Sequence, residues 1–160
     1  ERTINAVAQS APLHDIGKVG IPDHILLKPG KLTPDEWDIM KTHAELGSNA
    51  IAQAEADAEK PVEFLAIAKL IARSHHEKWE GSGYPDALAG DAIPIAARLM
   101  ALADVFDALI SVRTYKAAMS SLEARNIIAA ESGKHFDPDV ADAFVREYTT
   151  FMNIAKTYAE

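Results

Sequence analysis

The chain has 160 residues, 48% of them hydrophobic, no cysteine, and a formal net charge of −8. That length supports one domain with a real core. The missing thiols exclude disulfides and thiolate metal sites, and the acidic balance argues against a DNA or RNA partner. No apolar run is long enough to span a membrane and no signal-peptide pattern is present, so no membrane segment is expected here.

Helix formers, alanine above all, dominate a chain without strand-like alternation, internal repeats or a long linker. Residues 3–13 read as a helix ending at His14-Asp15, and Ile16-Gly17-Lys18-Val19-Gly20 reads as a tight, close-packed turn. Pro22 to Leu27 suggests a short helix before the Lys28-Pro29-Gly30 loop. Thr33-Pro34-Asp35-Glu36 is a strong helix start, with Thr33 as N-cap, Pro34 first in the helix and Glu36 closing a capping box. One helix is expected from there through His43 to about Gln53. Pro61 opens another, running from Val62 to about His76. A Gly-rich turn over 81–90 leads to a long apolar helix, Ile95 to Ile110, that carries Asp104. Ser120 with Glu123 caps a helix stopping at Gly133, and Asp137-Pro138 starts a last one that trails off after Tyr148. The fold class that follows is all-α, a single helical bundle.

Asp104 is the sharpest chemical clue. The helix around it is apolar almost all round, so a core position is expected. A buried carboxylate needs a cation or hydrogen-bond donors. Alone, it leaves two partners open: a bound metal, or a basic residue such as Arg98. Five further ligand-type residues, His14, Asp15, His43, His75 and His76, tilt the balance to metal. Neighbouring side chains on a helix point about 100° apart. One ion therefore fits both members of His14-Asp15 or His75-His76 poorly, whereas two ions bridged by a carboxylate such as Asp15 fit them well. Two such cations can polarise a phosphodiester and hold a nucleophilic hydroxide between them. Histidine and carboxylate suit iron, manganese, nickel or zinc. His24 reads as a surface residue and His135 as a loop residue beside a helix start.

These residues resemble a known family. His14-Asp15-Ile16-Gly17-Lys18 is similar to the signature of HD-superfamily metal phosphohydrolases. The run from His75-His76-Glu77-Lys78 through Gly81-Ser82-Gly83-Tyr84-Pro85 resembles the HD-GYP subgroup. Lys28-Pro29-Gly30-Lys31-Leu32-Thr33, Ile93-Pro94, Ala103-Asp104-Val105-Phe106-Asp107-Ala108-Leu109 and His135-Phe136-Asp137-Pro138 follow the same pattern. The resemblance implies an HD-type helical bundle and a cytoplasmic bacterial phosphodiesterase that hydrolyses cyclic di-GMP to pGpG and onward to GMP. It implies two divalent transition metals, iron or manganese before nickel or zinc, on His14, Asp15, His43, His75, His76 and Asp104. Lys18, Arg113 and Lys116 fall where the family contacts substrate phosphate, with Lys18 and Asp15 taking part in catalysis. Tyr84 falls where the family shapes the guanine end of the pocket. Two alternatives stay open: hydrolysis of a linear dinucleotide such as pGpG, and a cyclic di-GMP-responsive module docking a protein partner through Gly83-Tyr84-Pro85. The family also places a ligand-bearing helix ahead of His14 and a sensor or receiver domain beyond it. The expectation is a catalytic domain over 1–160 without that helix, with either self-association, a homodimer among the forms open to it, or local disorder at the first residues, and with a second metal position short of one ligand.

Overall fold

A computed structural model describes residues 1–60, 62–111 and 119–157. Among them lie nine α-helices and no strand: α1 Arg2–Ser10, α2 Asp23–Leu26, α3 Pro34–Lys41, α4 His43–Asp57, α5 Glu63–Ser74, α6 Ile95–Ile110, α7 Ser121–Ala130, α8 Pro138–Arg146 and α9 Tyr148–Thr157. Short 3₁₀ turns occupy Ala11–Leu13, Ile16–Gly20 and Gly90–Ala92. None of these helices is long and apolar enough to cross a membrane.

Local chemistry explains most helix ends. Thr33 and Glu36 form the expected capping box, Glu36 N–H donating to Thr33 Oγ1 and Thr33 N–H to Glu36 Oε2. Ser120 and Glu123 repeat the device at α7, and Asp137 Oδ1 accepts from Asp139 N–H at α8. These bonds satisfy donors that a helix start otherwise leaves unpaired. Replacing Ser120 with Ala is therefore expected to cost about 1 kcal/mol, read as a lower urea midpoint at an unchanged slope.

The helix expected to run unbroken through His43 is in fact two. Thr42 N–H and Thr42 Oγ1 both donate to the Ile39 carbonyl, and the His43 ring takes the Met40 carbonyl. Side chains thus close α3, and α4 starts afresh at His43. The C-terminus also differs from expectation. The chain does not trail off after Tyr148 but forms α9, whose Phe151 packs edge-on against Phe106 and Phe144.

Two buried clusters hold the bundle. One joins Ile51 of α4 to Ala68 and Ala72 of α5, with Leu13 and Leu65 against them. The other gathers Leu102 and Phe106 of α6, Ala124 and Ile128 of α7, and Val140, Ala141 and Phe144 of α8 with Phe136. The buried positions Ala68, Ile71 and Ala72 follow helical spacing, and His75 falls next on the same stripe. Helix α6 packs against α5 as well as against α7 and α8, so it joins the two halves and carries Asp104 to their junction. It is not buried all round: Ile95 and Leu99 are 55% and 44% exposed.

Candidate metal centre

The centre forms where helix ends meet. His14 closes the 3₁₀ turn after α1, Asp15 precedes the next turn, His43 opens α4, and His75 caps the C-terminus of α5 with His76 beside it. Gly17 makes this meeting possible. A Cβ there would stand 1.9 Å from the His43 carbonyl oxygen and 2.4 Å from Gly47 N, so only glycine lets the turn lie against α4.

Three rings are oriented by backbone carbonyls. His14 Nδ1 lies 2.8 Å from the Ala11 oxygen, His43 Nδ1 2.7 Å from Met40, and His75 Nδ1 3.0 and 3.1 Å from Ile71 and Ala72. A nitrogen that faces only a carbonyl carries the proton. Each Nε2 is then left with a lone pair, the arrangement that metal-ligating histidines use.

Those Nε2 atoms gather around Asp15. Its Oδ1 stands 3.4 Å from His43 Nε2 and 3.8 Å from His75 Nε2, and His76 Nε2 is 3.1 Å from His43 Nε2. Its Oδ2 faces the other way, 3.3 Å from His14 Nε2, which in turn lies 3.8 Å from Asp104 Oδ1. Lys18, one eclipsed 3₁₀ turn on, also bonds Oδ2. The ligand atoms of Asp15, His43, His75 and His76 all fall within 4.8 Å of one another, so the neighbours His75 and His76 share one position, contrary to the expectation from helical spacing, because α5 ends at Ser74 and the pair lies past its last regular turn. Atoms about 2.0–2.1 Å from a shared tetrahedral ion stand about 3.3 Å apart, close to the separations seen here. Asp15 Oδ1 and His75 Nε2 are also buried without a hydrogen-bond partner among the described residues. Buried polar atoms are rarely left so, and a cation between them satisfies both. The donor set therefore fits a metal.

At His75 and His76 the electrostatics point the same way, whereas at His14 they favour the protonated ring. Burial, then the neighbouring rings, pushes His75 down to about 4 and His76 down to about 2, so both are neutral near pH 7. Burial alone would raise the Asp15 pKa, yet the contacts from His14 and Lys18 hold it well below the usual carboxylate range. The Asp15 carboxylate raises the His14 pKa in turn.

All six ligand candidates are brought to this junction, together with Lys18 and Tyr84. The alternative partner for Asp104 is not used: Arg98 donates to Asp137 at 2.8 Å, Asp91 at 3.1 Å and the Ile93 carbonyl at 2.7 Å. Arg113 and Lys116 lie outside the described residues. Tyr84 turns inward, its ring stacked on His76 at 4.8 Å and 24°. Of Gly83, Tyr84 and Pro85, only Pro85 is exposed. A Cβ on Gly83 would meet the Glu77 Cα and the Lys78 N at 2.4 Å, which presses the loop onto the chain that carries His76.

Sequence reasoning missed the residues that fix this loop. Glu77 is buried and accepts from Asp86 N–H at 2.7 Å and Leu88 N–H at 3.0 Å. Arg73 forks onto both Asp86 oxygens at 2.7 Å. Neither pairing follows a helical spacing, so the chain held no local signal for it. Trp37, on α3, which buries none of its residues, is a further residue missed and stands edge-on to Tyr84 at 6.4 Å and 82°.

Fold and site together define a helical bundle with a histidine–aspartate cluster, suited to a metal, at the meeting of its helix ends. Residues 1–140 match the HD domain family. The chain is 57% identical over 98% of its length to a Vibrio cholerae protein named "Probable cyclic di-GMP phosphodiesterase", of which it spans 36%. It is 46% identical over 91% of its length to the Xanthomonas campestris "Cyclic di-GMP phosphodiesterase response regulator RpfG", of which it spans 37%. A third relative, the Vibrio cholerae "3'3'-cGAMP-specific phosphodiesterase 2", is 42% identical over 96% of the chain, which spans 28% of it. The chain belongs to the HD domain family and is of its HD-GYP type. It spans about a third of the length of these curated relatives.

Proposed function

We propose that this domain hydrolyses cyclic di-GMP to linear pGpG, with two divalent transition metals held by His14, Asp15, His43, His75, His76 and Asp104. The observation that carries the reading is Asp15, whose Oδ1 faces His43 and His75 while its Oδ2 faces His14 and Lys18. A carboxylate set between the His43–His75 pair on one side and His14 on the other suits a bridging ligand. Relatives named as cyclic di-GMP phosphodiesterases, at 46% and 57% identity, support the substrate. Iron or manganese suits this nitrogen and oxygen donor set, as do nickel and zinc.

In this reaction water adds across one P–O bond. Because pGpG keeps its 5′ phosphate, the bond that breaks is P–O3′, and the leaving oxygen takes up a proton. Bound divalent ions would supply Lewis acidity to the phosphoryl oxygens and an activated water. Lys18, already fixed beside Asp15, offers a positive charge and an N–H donor to the leaving oxygen. Arg113 and Lys116 are assigned to substrate phosphate on resemblance, as forked and point-charge contacts respectively. Tyr84 packs on His76 and walls the site toward the base.

Turnover of cyclic di-GMP and pGpG, with metal content measured on the same sample, tests the reading. Hydrolysis of cyclic di-GMP that tracks bound metal is expected. Hydrolysis of pGpG alone would replace it with the linear-dinucleotide reading, and binding without turnover would make the domain a responsive module. 3'3'-cGAMP belongs in the same assay, since a relative at 42% identity is named for it.

The two positions are unequal. His43, His75, His76 and Asp15 offer one ion four side chains, whereas His14, Asp104 and Asp15 offer the other three. Metal titration is therefore expected to show two classes of site, with a chelator emptying the three-ligand position first and activity falling with it. Two equivalents bound with equal affinity would refute this.

A further inference from the structure

Helix α3 contributes no buried residue to the core, yet it is fixed at both ends. The capping box and the Lys28–Glu36 pair hold its start, and its Met40 carbonyl holds the His43 ring. A helix so firmly placed and so little buried is placed for what it presents. What it presents is Trp37, 47% exposed although tryptophan is among the most strongly buried residues on average. The indole stands nearly perpendicular to Tyr84, whose ring lies almost parallel to that of His76. An aromatic wall thus runs outward from the candidate metal ligands: His76, then Tyr84, then Trp37.

We infer that Trp37 supplies the stacking surface for one base of the nucleotide, the base lying on the half-exposed indole with its edge toward Tyr84, the residue that the family resemblance already places at the guanine end. This rests on the reading of the centre as a dinucleotide phosphodiesterase. The chemistry suits the geometry. One face of Tyr84 is covered by His76 and the ring is partly buried, so the half-exposed indole is the more open stacking surface. A flat base on that surface meets the neighbouring phenol at its rim, where the hydroxyl can bond the base's polar edge. A single nucleotide joins a phosphate to a base, and the wall likewise joins a phosphate-cleaving centre to a stacking surface. Because every base has a π-face, such a seat contributes affinity with little choice between guanine and adenine.

Two variants of the full chain test the assignment. Trp37→Ala is expected to raise KM for cyclic di-GMP about tenfold, within the range of a lost base–aromatic stack, while kcat changes far less. Trp37→Phe, which keeps a ring, should restore most of the loss. Fluorescence gives a readout independent of turnover, since the chain has two tryptophans, Trp37 and Trp79. Cyclic di-GMP should quench the emission of the parent chain, and the quench should vanish in Trp37→Phe. An unchanged KM in Trp37→Ala overturns the inference while leaving the phosphodiesterase reading intact. So does a quench that persists in Trp37→Phe, or a loss confined to kcat. A parent chain that neither binds nor cleaves cyclic di-GMP overturns both.

Discussion

Replacing Asp15 with Asn is expected to empty both metal positions and to lower hydrolysis of cyclic di-GMP by about 10³-fold or more. The carboxylate has no spare side. Oδ1 faces the lone pairs of His43 and His75, and Oδ2 faces His14 and the Lys18 ammonium. An amide keeps one oxygen and gains an NH₂ group. Turned toward Lys18, that group sets donor against donor; turned toward the histidines, it consumes the lone pairs a metal needs. Metal ions supply several kcal/mol of transition-state stabilisation, and about 1.4 kcal/mol is a factor of ten in rate. Asp15 is only half buried and belongs to neither hydrophobic cluster, so the variant should stay folded. Elemental analysis and turnover on one preparation, with circular dichroism beside them, decide the matter. Full metal content in the Asn variant would remove Asp15 from the centre.

Gly17→Ala should be the most destabilising single-methyl addition at this junction. The new Cβ would stand 1.9 Å from the His43 oxygen, 2.4 Å from Gly47 N and 2.9 Å from Gly47 Cα, all of them backbone atoms. A side chain can rotate out of the way, but the packed helix α4 has to translate. Overpacking of this kind costs about 3 kcal/mol or more. Because α4 begins with His43, the displacement also shifts a candidate ligand, so metal retention should fall along with stability. Gly20→Ala is the matched control. Its Cβ would meet the end of the flexible Leu46 side chain at 3.0 Å, which can yield. Urea unfolding of both variants should show a large drop in midpoint for the first and a small one for the second. Equal midpoints would mean that the turn has room to move.

What could be read from the sequence was mainly what is decided locally. The caps at Thr33, Ser120 and Asp137 depend on residues two or three positions apart, and each forms as expected. The ligand candidates were legible because cysteine is absent and histidines are few. The break at Thr42 was not, since it depends on side chains capturing the Ile39 and Met40 carbonyls, a choice with no compositional mark. Helix α9 was missed because its apolar residues Phe151 and Met152 find their partners, Phe106 and Phe144 among them, only in the fold. Apolar composition around Asp104 suggested burial on every side, but composition does not say what covers a face, and Ile95 and Leu99 remain open. Glu77 and Trp37 act across the chain on a loop and a ring that only the fold brings to them.

The anchoring of the imidazoles has a consequence for how the bundle breathes. Each ring hangs from a carbonyl one turn earlier: Ala11 for His14, Met40 for His43, Ile71 and Ala72 for His75. Such end turns are where helices fray first. An ion that holds a ring would, through the ring's bond to that carbonyl, also hold the turn against opening. Ion binding is therefore thermodynamically linked to the protection of those amides against hydrogen exchange. At an ion concentration a hundredfold above Kd the linkage amounts to about 2.7 kcal/mol. Since the three turns come from distant parts of the sequence, two ions sharing Asp15, one on His14 and the other on His43 and His75, would make three independent frays into one cooperative unit.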